Sequence, residues 1–265
     1  MSIHDVYDGS QVIAQSLDIL DKYRVSLKVG EDFEEYRALL AEHRPDHDLG
    51  LPFDPEHQFM TPANAFWIAG FDHDGELIHT QAMRMIELGN SHLSDYMREN
   101  FLDFPPSGLP LDLKRSRYRP GPSAKRMTGR TVYHGEVWMG GTKGQFRGSG
   151  LSCVLGRFAF MSAMLRWSPD HFFGFMPRAV AFKGFAERQG YMHAEPAAAR
   201  RLCRTRRPAL ANVGKRQSAG GVHGLDGERG CAPPDADATE RTGAIARLDR
   251  GRKTPRTCRR LTAGS

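Results

Sequence analysis

The order of apolar patterns predicts a mixed α/β (α+β) domain over residues 1–196, in which strands and helices follow one another. Three observations carry that expectation. Strand-like alternation and helix-like spacing succeed one another along this stretch. An Asp-Gly turn joins two long apolar runs, which marks a hairpin. Composition then changes at one point, residue 197, as if folded chemistry stopped there.

Tyr23 to Val29 (YRVSLKV) alternates as a strand does. Glu31 to His43 has helical apolar spacing and acids in its first turn, where the helix dipole favours them. Arg44 to Pro55, rich in Pro and Asp, reads as a loop. Phe66 to Phe71 forms a second strand, His73-Asp74-Gly75-Glu76 turns the chain, and Leu77 to Leu88 returns. Ser91 caps a helix running to Phe101. Pro105 to Gly129 is a basic surface excursion in which Arg115, Arg117 and Arg119 form a solvated edge.

The second half is the more informative. Thr131 to Met139 (TVYHGEVWM) reads as a strand and Gly140 to Gly150 (GGTKGQFRGSG) as a glycine-rich turn. Leu151 to Trp167 is a helix, ended by Ser168-Pro169-Asp170 because proline cannot continue it. His171 to Met176 is an apolar strand, and Arg178 to Gln189 is a helix stopped by Gly190. Strand, glycine loop, helix and strand make a crossover unit.

Gln145-Phe146-Arg147-Gly148-Ser149-Gly150 has the spacing Q-x-x-G-x-G between a strand and a helix. Glycines let backbone amides approach a ligand, and amides at a helix start converge on one point where the dipole is positive. An anion such as a pyrophosphate suits that place, with Arg147 adding a fixed charge. A plain tight turn is the competing explanation. The spacing is neither the dinucleotide G-x-G-x-x-G nor the P-loop, since Leu151 follows Gly150.

This loop, with the strand before it and the long helix after it, resembles the acetyl-CoA signature of the GNAT acyltransferases. The helix ending in Lys183-Gly184-Phe185-Ala186-Glu187-Arg188-Gln189-Gly190-Tyr191 resembles the one that follows the family's fifth strand. The resemblance spans Tyr23 to Pro196 and implies a GNAT-like, mostly antiparallel central sheet flanked by helices and an N-acyltransferase that uses acetyl-CoA or another acyl-CoA. By position it implies that the amides of Arg147, Gly148, Ser149, Gly150 and Leu151 hold the CoA pyrophosphate, with Gln145 also on the cofactor-binding loop. Trp138 and Met139 would lie on the strand that pairs with the pantetheine arm, splayed from the next strand so that the thioester fits between. Glu136 is the candidate general base, with a solvent-facing strand glutamate as the alternative; Tyr133 and His134 are further catalytic candidates, with ordinary strand packing as the alternative for both. The tyrosine that protonates the leaving thiolate in many members is replaced by Ala186.

A small-molecule or protein amine is the implied acceptor, and a homodimer is left open. A catalytically inactive acyl-CoA-binding domain is the alternative in which only binding survives. No apolar run is long enough to span a bilayer and the N-terminus lacks the pattern of a secretory signal, so no membrane partner and a cytoplasmic location are expected. No metal site is expected: Asp72, His73, Asp74 and Glu76 have the chemistry of a hairpin turn, and His43 and His47 flank a proline loop without a metal spacing. Cys203, Cys231 and Cys258 contain no C-x-x-C pair, which suggests neither zinc nor redox chemistry.

Residues 197–265 carry 14 Arg and 2 Lys against 6 acids, a net of +10, leaving −4 of the total +6 for residues 1–196. All 25 aromatic residues (15 Phe, 7 Tyr, 3 Trp) lie before that point, so the tail cannot bury enough surface to offset its ordering entropy. It is expected to be disordered, and the closing strands of the GNAT sheet are expected to be missing. Its Arg, Ala, Gly, Pro and Cys richness is what a shifted reading frame in a GC-rich gene yields. A basic arm that binds nucleic acid non-specifically is the competing reading.

Overall fold

The computed structural model describes residues 2–105, 116–142, 145–146, 148–181, 183–195, 198–199 and 244–246. The chain begins with a helix, α1 (Ile3–Lys22), that the apolar pattern did not announce. Local chemistry forms it. Ser2 Oγ accepts from the Asp5 amide at 3.1 Å, and Asp5 returns a carboxylate oxygen to the Ser2 amide at 2.7 Å, a capping box. At its other end the Val25 amide reaches the Leu20 carbonyl and the Arg24 amide the Asp21 carbonyl, with Arg24 left-handed at φ 54.

The other elements follow in the expected order, except that the excursion over Pro105 to Gly129 holds a short strand. They are β1 (Ser26–Gly30), α2 (Phe33–His43), the hairpin β2 (Ala65–Phe71) and β3 (Leu77–Glu87), α3 (Leu93–Asn100), a short β4 (Arg117–Tyr118), β5 (Arg130–Met139), α4 (Leu151–Trp167) and β6 (His171–Gly174). Asp32 caps α2 by accepting from the Glu34 and Glu35 amides. Three expectations need correction. His92, not Ser91, occupies the N-cap of α3 and offers no side-chain bond; the Ser91 amide is used in a turn onto Leu88. The helix expected over Arg178 to Gln189 is two pieces, α5 (Arg178–Ala181) and α6 (Phe185–Gln189), because Gly184 turns left-handed at φ 72 between them. The sheet also does not end at β6: β8 (Ala244–Ala246), inside the Arg-rich stretch, pairs antiparallel with it, and β7 (Ala198–Ala199) pairs with β4.

The main sheet runs β1-β2-β3-β5-β6-β8, and only β5 and β6 are parallel. Alternation divides its residues between two layers. Trp67 and Ala69 of β2 pack with Phe33, Tyr36 and Leu40 of α2 and with Leu93 and Met97 of α3. Phe66 and Ile68 of the same strand face Phe158, Ala159 and Ala163 of α4 and Ala186 of α6. Leu20 of α1 joins that second layer with Leu151 and Leu155 of α4. The two helices meet closely at Gly9, where a Cβ would stand 2.7 Å from the Leu165 side chain. Among the described residues no helix is long and apolar enough to cross a membrane.

Candidate active site

The parallel strands β5 and β6 pair at Thr131 and His171, Val132 and Phe172, and Tyr133 and Phe173. Past Tyr133, β5 runs on to Met139 whereas β6 ends at Gly174, and the strands part. The gap opens a cleft of about 360 Å³. Glu136 and Trp138 of β5 form one wall, Phe175 to Pro177 another; Arg44 and His47 come from the loop behind α2, and Phe185 and Gln189 from α6. The cleft is therefore reached by residues from both layers flanking the sheet.

An irregularity in β5 sets the chemistry of its wall. Thr80 pairs with Trp138 and Ala82 with Gly135, so β5 spends three steps where β3 spends two, and one extra residue bulges. Glu136 sits there with φ 53, a conformation costly for a non-glycine residue. The Thr80 hydroxyl donates to the Glu136 carbonyl at 2.9 Å and holds the bulge. Strict alternation would put Glu136 on the α4 layer beside His134. The bulge turns it to the α2 layer, and its side chain is only 6% exposed, which removes the solvent-facing alternative. One carboxylate oxygen lies 2.7 Å from His47 Nε2, and the other accepts from the Gly50 amide at 3.1 Å.

Arg44 completes this end. Its guanidinium lies over the Trp138 ring, 4.3 Å from the centroid, and donates to Thr80 Oγ1 at 3.4 Å. Desolvation lowers its pKa, while the nearby Glu136 charge acts in the opposite sense. Burial pushes the Tyr36 phenol, next to this cluster, well up. Tyr133 packs among Phe53, Phe104 and Phe173, with ring centroids 5.4, 4.9 and 5.2 Å away. Its hydroxyl lies over Gly135, where a Cβ would be 3.0 Å from it, so it borders the cleft from inside the core.

The α4 side of the gap holds a buried relay. Gln81 Nε2 donates to the Leu155 carbonyl at 2.9 Å, which orients the amide so that its oxygen accepts from His134 Nε2 at 3.1 Å. His134 Nδ1 is then the acceptor, and Tyr191 Oη donates to it at 3.0 Å. Burial, with a smaller contribution from His79, drives the His134 pKa down to about 3, so the ring is neutral. Burial likewise holds the Tyr191 phenol well above its usual range. Tyr191 lines the cleft, whereas Ala186, at the position of the expected tyrosine, is buried in the apolar layer.

The glycine loop starts α4. Gly148 and Gly150 have φ 80 and 76, and a Cβ at either would meet nothing within 4 Å, so the loop surface is open to a ligand. Gly150 caps α4 without a side-chain bond, and the Leu151 amide donates to Ser149 Oγ at 3.2 Å. Gln145 fastens the loop, its amide oxygen accepting from the Thr142 amide at 2.9 Å. The Leu151 side chain is buried under α1, and Met139 packs on the same cluster, so neither side chain faces the gap. Trp138 does; its ring folds over Gly140, where a Cβ would collide with it at 2.1 Å. Arg147 and Arg115 lie outside the described residues.

The structure thus brings Glu136, Tyr133 and Trp138 to one cleft and leaves the open loop at the end of the same strand. His134, a further candidate on the same strand, lies in the buried relay, whereas Arg44, His47 and Tyr191 were not singled out for the cleft. No local sequence signal identifies those three, because they come from the loop behind α2 and from the segment after α6, which only the fold brings to the gap. Asp72, His73 and Asp74 do cluster closely enough to hold an ion, but one Asp72 oxygen already accepts from the Asp74 and Glu76 amides at 3.0 Å each. No family model, curated protein or solved structure matches this chain.

Proposed function

We propose that this chain is an acyl-CoA-dependent N-acyltransferase of the GNAT type, which transfers an acetyl or similar group from CoA to a primary amine. The observation that carries the reading is the parting of β5 from β6 beyond Tyr133, with a buried carboxylate turned into the gap by a bulge. A thioester arm entering along β5 from the glycine loop would reach the gap from the α4 layer. An amine would enter from the α2 layer, where Glu136 and His47 wait.

The chemistry requires few parts. The Glu136–His47 pair accepts a proton from the ammonium, and the free amine attacks the thioester carbonyl. The C–N bond forms, the C–S bond breaks, the attacking nitrogen sheds its second proton, and the sulfur leaves as thiolate and takes that proton up. Tyr191 is a phenol lining the cleft, but its proton is directed at His134. Positioning two reactants in one gap supplies most of the acceleration, and the base adds about 10²- to 10⁴-fold.

The test is thiol release from acetyl-CoA with a panel of primary amines, run on the intact protein and on Glu136→Gln. Turnover that falls about 10²- to 10⁴-fold in the variant, without loss of a cooperative melt, supports the reading. Binding of acetyl-CoA with no turnover of any amine would favour the acyl-CoA-binding alternative, which the apolar setting of Ala186 also favours.

A further inference from the structure

We infer that the acceptor is an amine that also carries a carboxylate, an amino acid in the broad sense, with its carboxylate on Arg44 and its nitrogen at Glu136. The inference rests on the acyl-transfer reading for the reaction, but the binding geometry stands independently of it.

Arg44 is a half-buried cation lining the cleft without an anion of its own. Its contacts are the face of Trp138 and one long bond to Thr80 Oγ1. Among the described residues no carboxylate lies within 4.0 Å of its guanidinium. The other arginine of this helix is treated differently: Arg37, two turns earlier on α2, pairs with Glu34, Asp54 and Glu56. Leaving a cation desolvated beside a cavity costs free energy that a bound anion returns. Contact with the Trp138 face holds the guanidinium at the cleft, and its planar fork suits the two parallel bonds a carboxylate makes.

The other pole is Glu136, whose carboxylate is pinned by His47 and the Gly50 amide and therefore does not swing across to Arg44. The two charges feel one another but do not close into a pair. A cleft that presents a fixed cation and a fixed anion apart is complementary to a zwitterion. A simple alkylamine would fill the Glu136 pole and leave Arg44 unanswered. A CoA phosphate is the competing anion for Arg44, because the glycine loop follows β5 directly and the Trp138 ring folds over Gly140; the acetyl-CoA titration of the Arg44 variants separates the two.

The test is a binding panel on the full chain: the free amino acids, including β- and γ-amino acids, each against the matching amine that lacks the carboxylate. Melting shift and calorimetry are read on the intact protein, Arg44→Gln and Arg44→Lys, with acetyl-CoA titrated in parallel. The expected result is that at least one amino acid binds and its decarboxylated partner binds at least tenfold more weakly. Arg44→Gln should abolish that preference, Arg44→Lys restore part of it, and acetyl-CoA affinity stay unchanged. Failure of every amino acid to bind, equal binding of the decarboxylated amines, or an Arg44→Gln defect in acetyl-CoA affinity instead would overturn the inference. Carboxylate-dependent binding without acyl transfer would retain the zwitterion site and reject the acyl-transfer reading alone.

Discussion

Replacing Gly174 with alanine probes the point where β5 and β6 part. Gly174 is the last residue of β6, and a Cβ there would stand 2.5 Å from Tyr191 Oη and 2.7 Å from the His134 carbonyl oxygen. Both separations are far inside contact distance, and one partner is backbone. The strands must move apart or Tyr191 must leave. Overpacking of this kind costs about 1–3 kcal/mol. Losing the Tyr191 donor leaves His134 Nδ1 buried without a partner, at about 1–3 kcal/mol more. The expected loss is about 2–6 kcal/mol, read as a lower melting midpoint by about 4–24 °C. The informative comparison is a double-mutant cycle with Tyr191→Phe, which removes the oxygen that the new methyl meets. Tyr191→Phe should destabilise the parent protein but cost little, or even stabilise, in the Gly174→Ala background, with a coupling of about 1–2 kcal/mol. A Gly174→Ala protein that melts with the parent, or effects that simply add, would refute the packing described for the base of the gap.

Other consequences are equally open to measurement. Burial lowers the His134 pKa to about 3 and the His79 pKa to about 4, from 6.5. Below pH 6.5 the unfolded chain takes up protons the fold cannot accept, so stability is full above that pH and falls toward pH 4, by up to about 1.4 kcal/mol per pH unit for each ring. Urea titrations between pH 7 and 4.5 check this, and a flat profile contradicts it. Arg24 occupies the left-handed position after α1 in an exposed setting, so Arg24→Gly should raise stability by about 1 kcal/mol and the melting midpoint by about 3 °C. No change would mean that the end of α1 is frayed in solution. Gly9→Ala should loosen α1 from α4 at the cost of about 1–3 kcal/mol, seen as faster amide exchange along α1.

The sequence disclosed the order of elements better than the site. The run from Thr131 to Trp167 was legible because periodicity switches from two to 3.6 at a glycine loop, and both patterns are read from neighbours in the chain. Helix α1 was not legible: only Gly9, Ser16 and Leu20 of its twenty residues are buried, so little apolar stripe exists to detect. Glu136 was found through resemblance, but its direction was hidden. Alternation counts one face change per residue, and the bulge adds a residue that reverses Glu136 and Trp138 relative to His134. His47 and Arg44 sit in a loop whose path is set by the Glu136 contacts themselves. Tyr191 enters the cleft only because Gly174, seventeen residues earlier, carries no side chain.

The most direct test of the central claim is a calorimetric titration of acetyl-CoA into the intact protein and into Gly150→Asp. Aspartate tolerates a left-handed backbone better than most residues, is a favourable helix N-cap, and its Cβ would meet nothing within 4 Å at this position. The variant should therefore fold while placing a negative charge where the CoA phosphates would lie. The account predicts binding to the intact protein and an affinity at least tenfold weaker, about 1.4 kcal/mol, in a variant that still melts cooperatively. Equal affinity in the two proteins, or no binding to either, would contradict an acyl-CoA site built on the glycine loop.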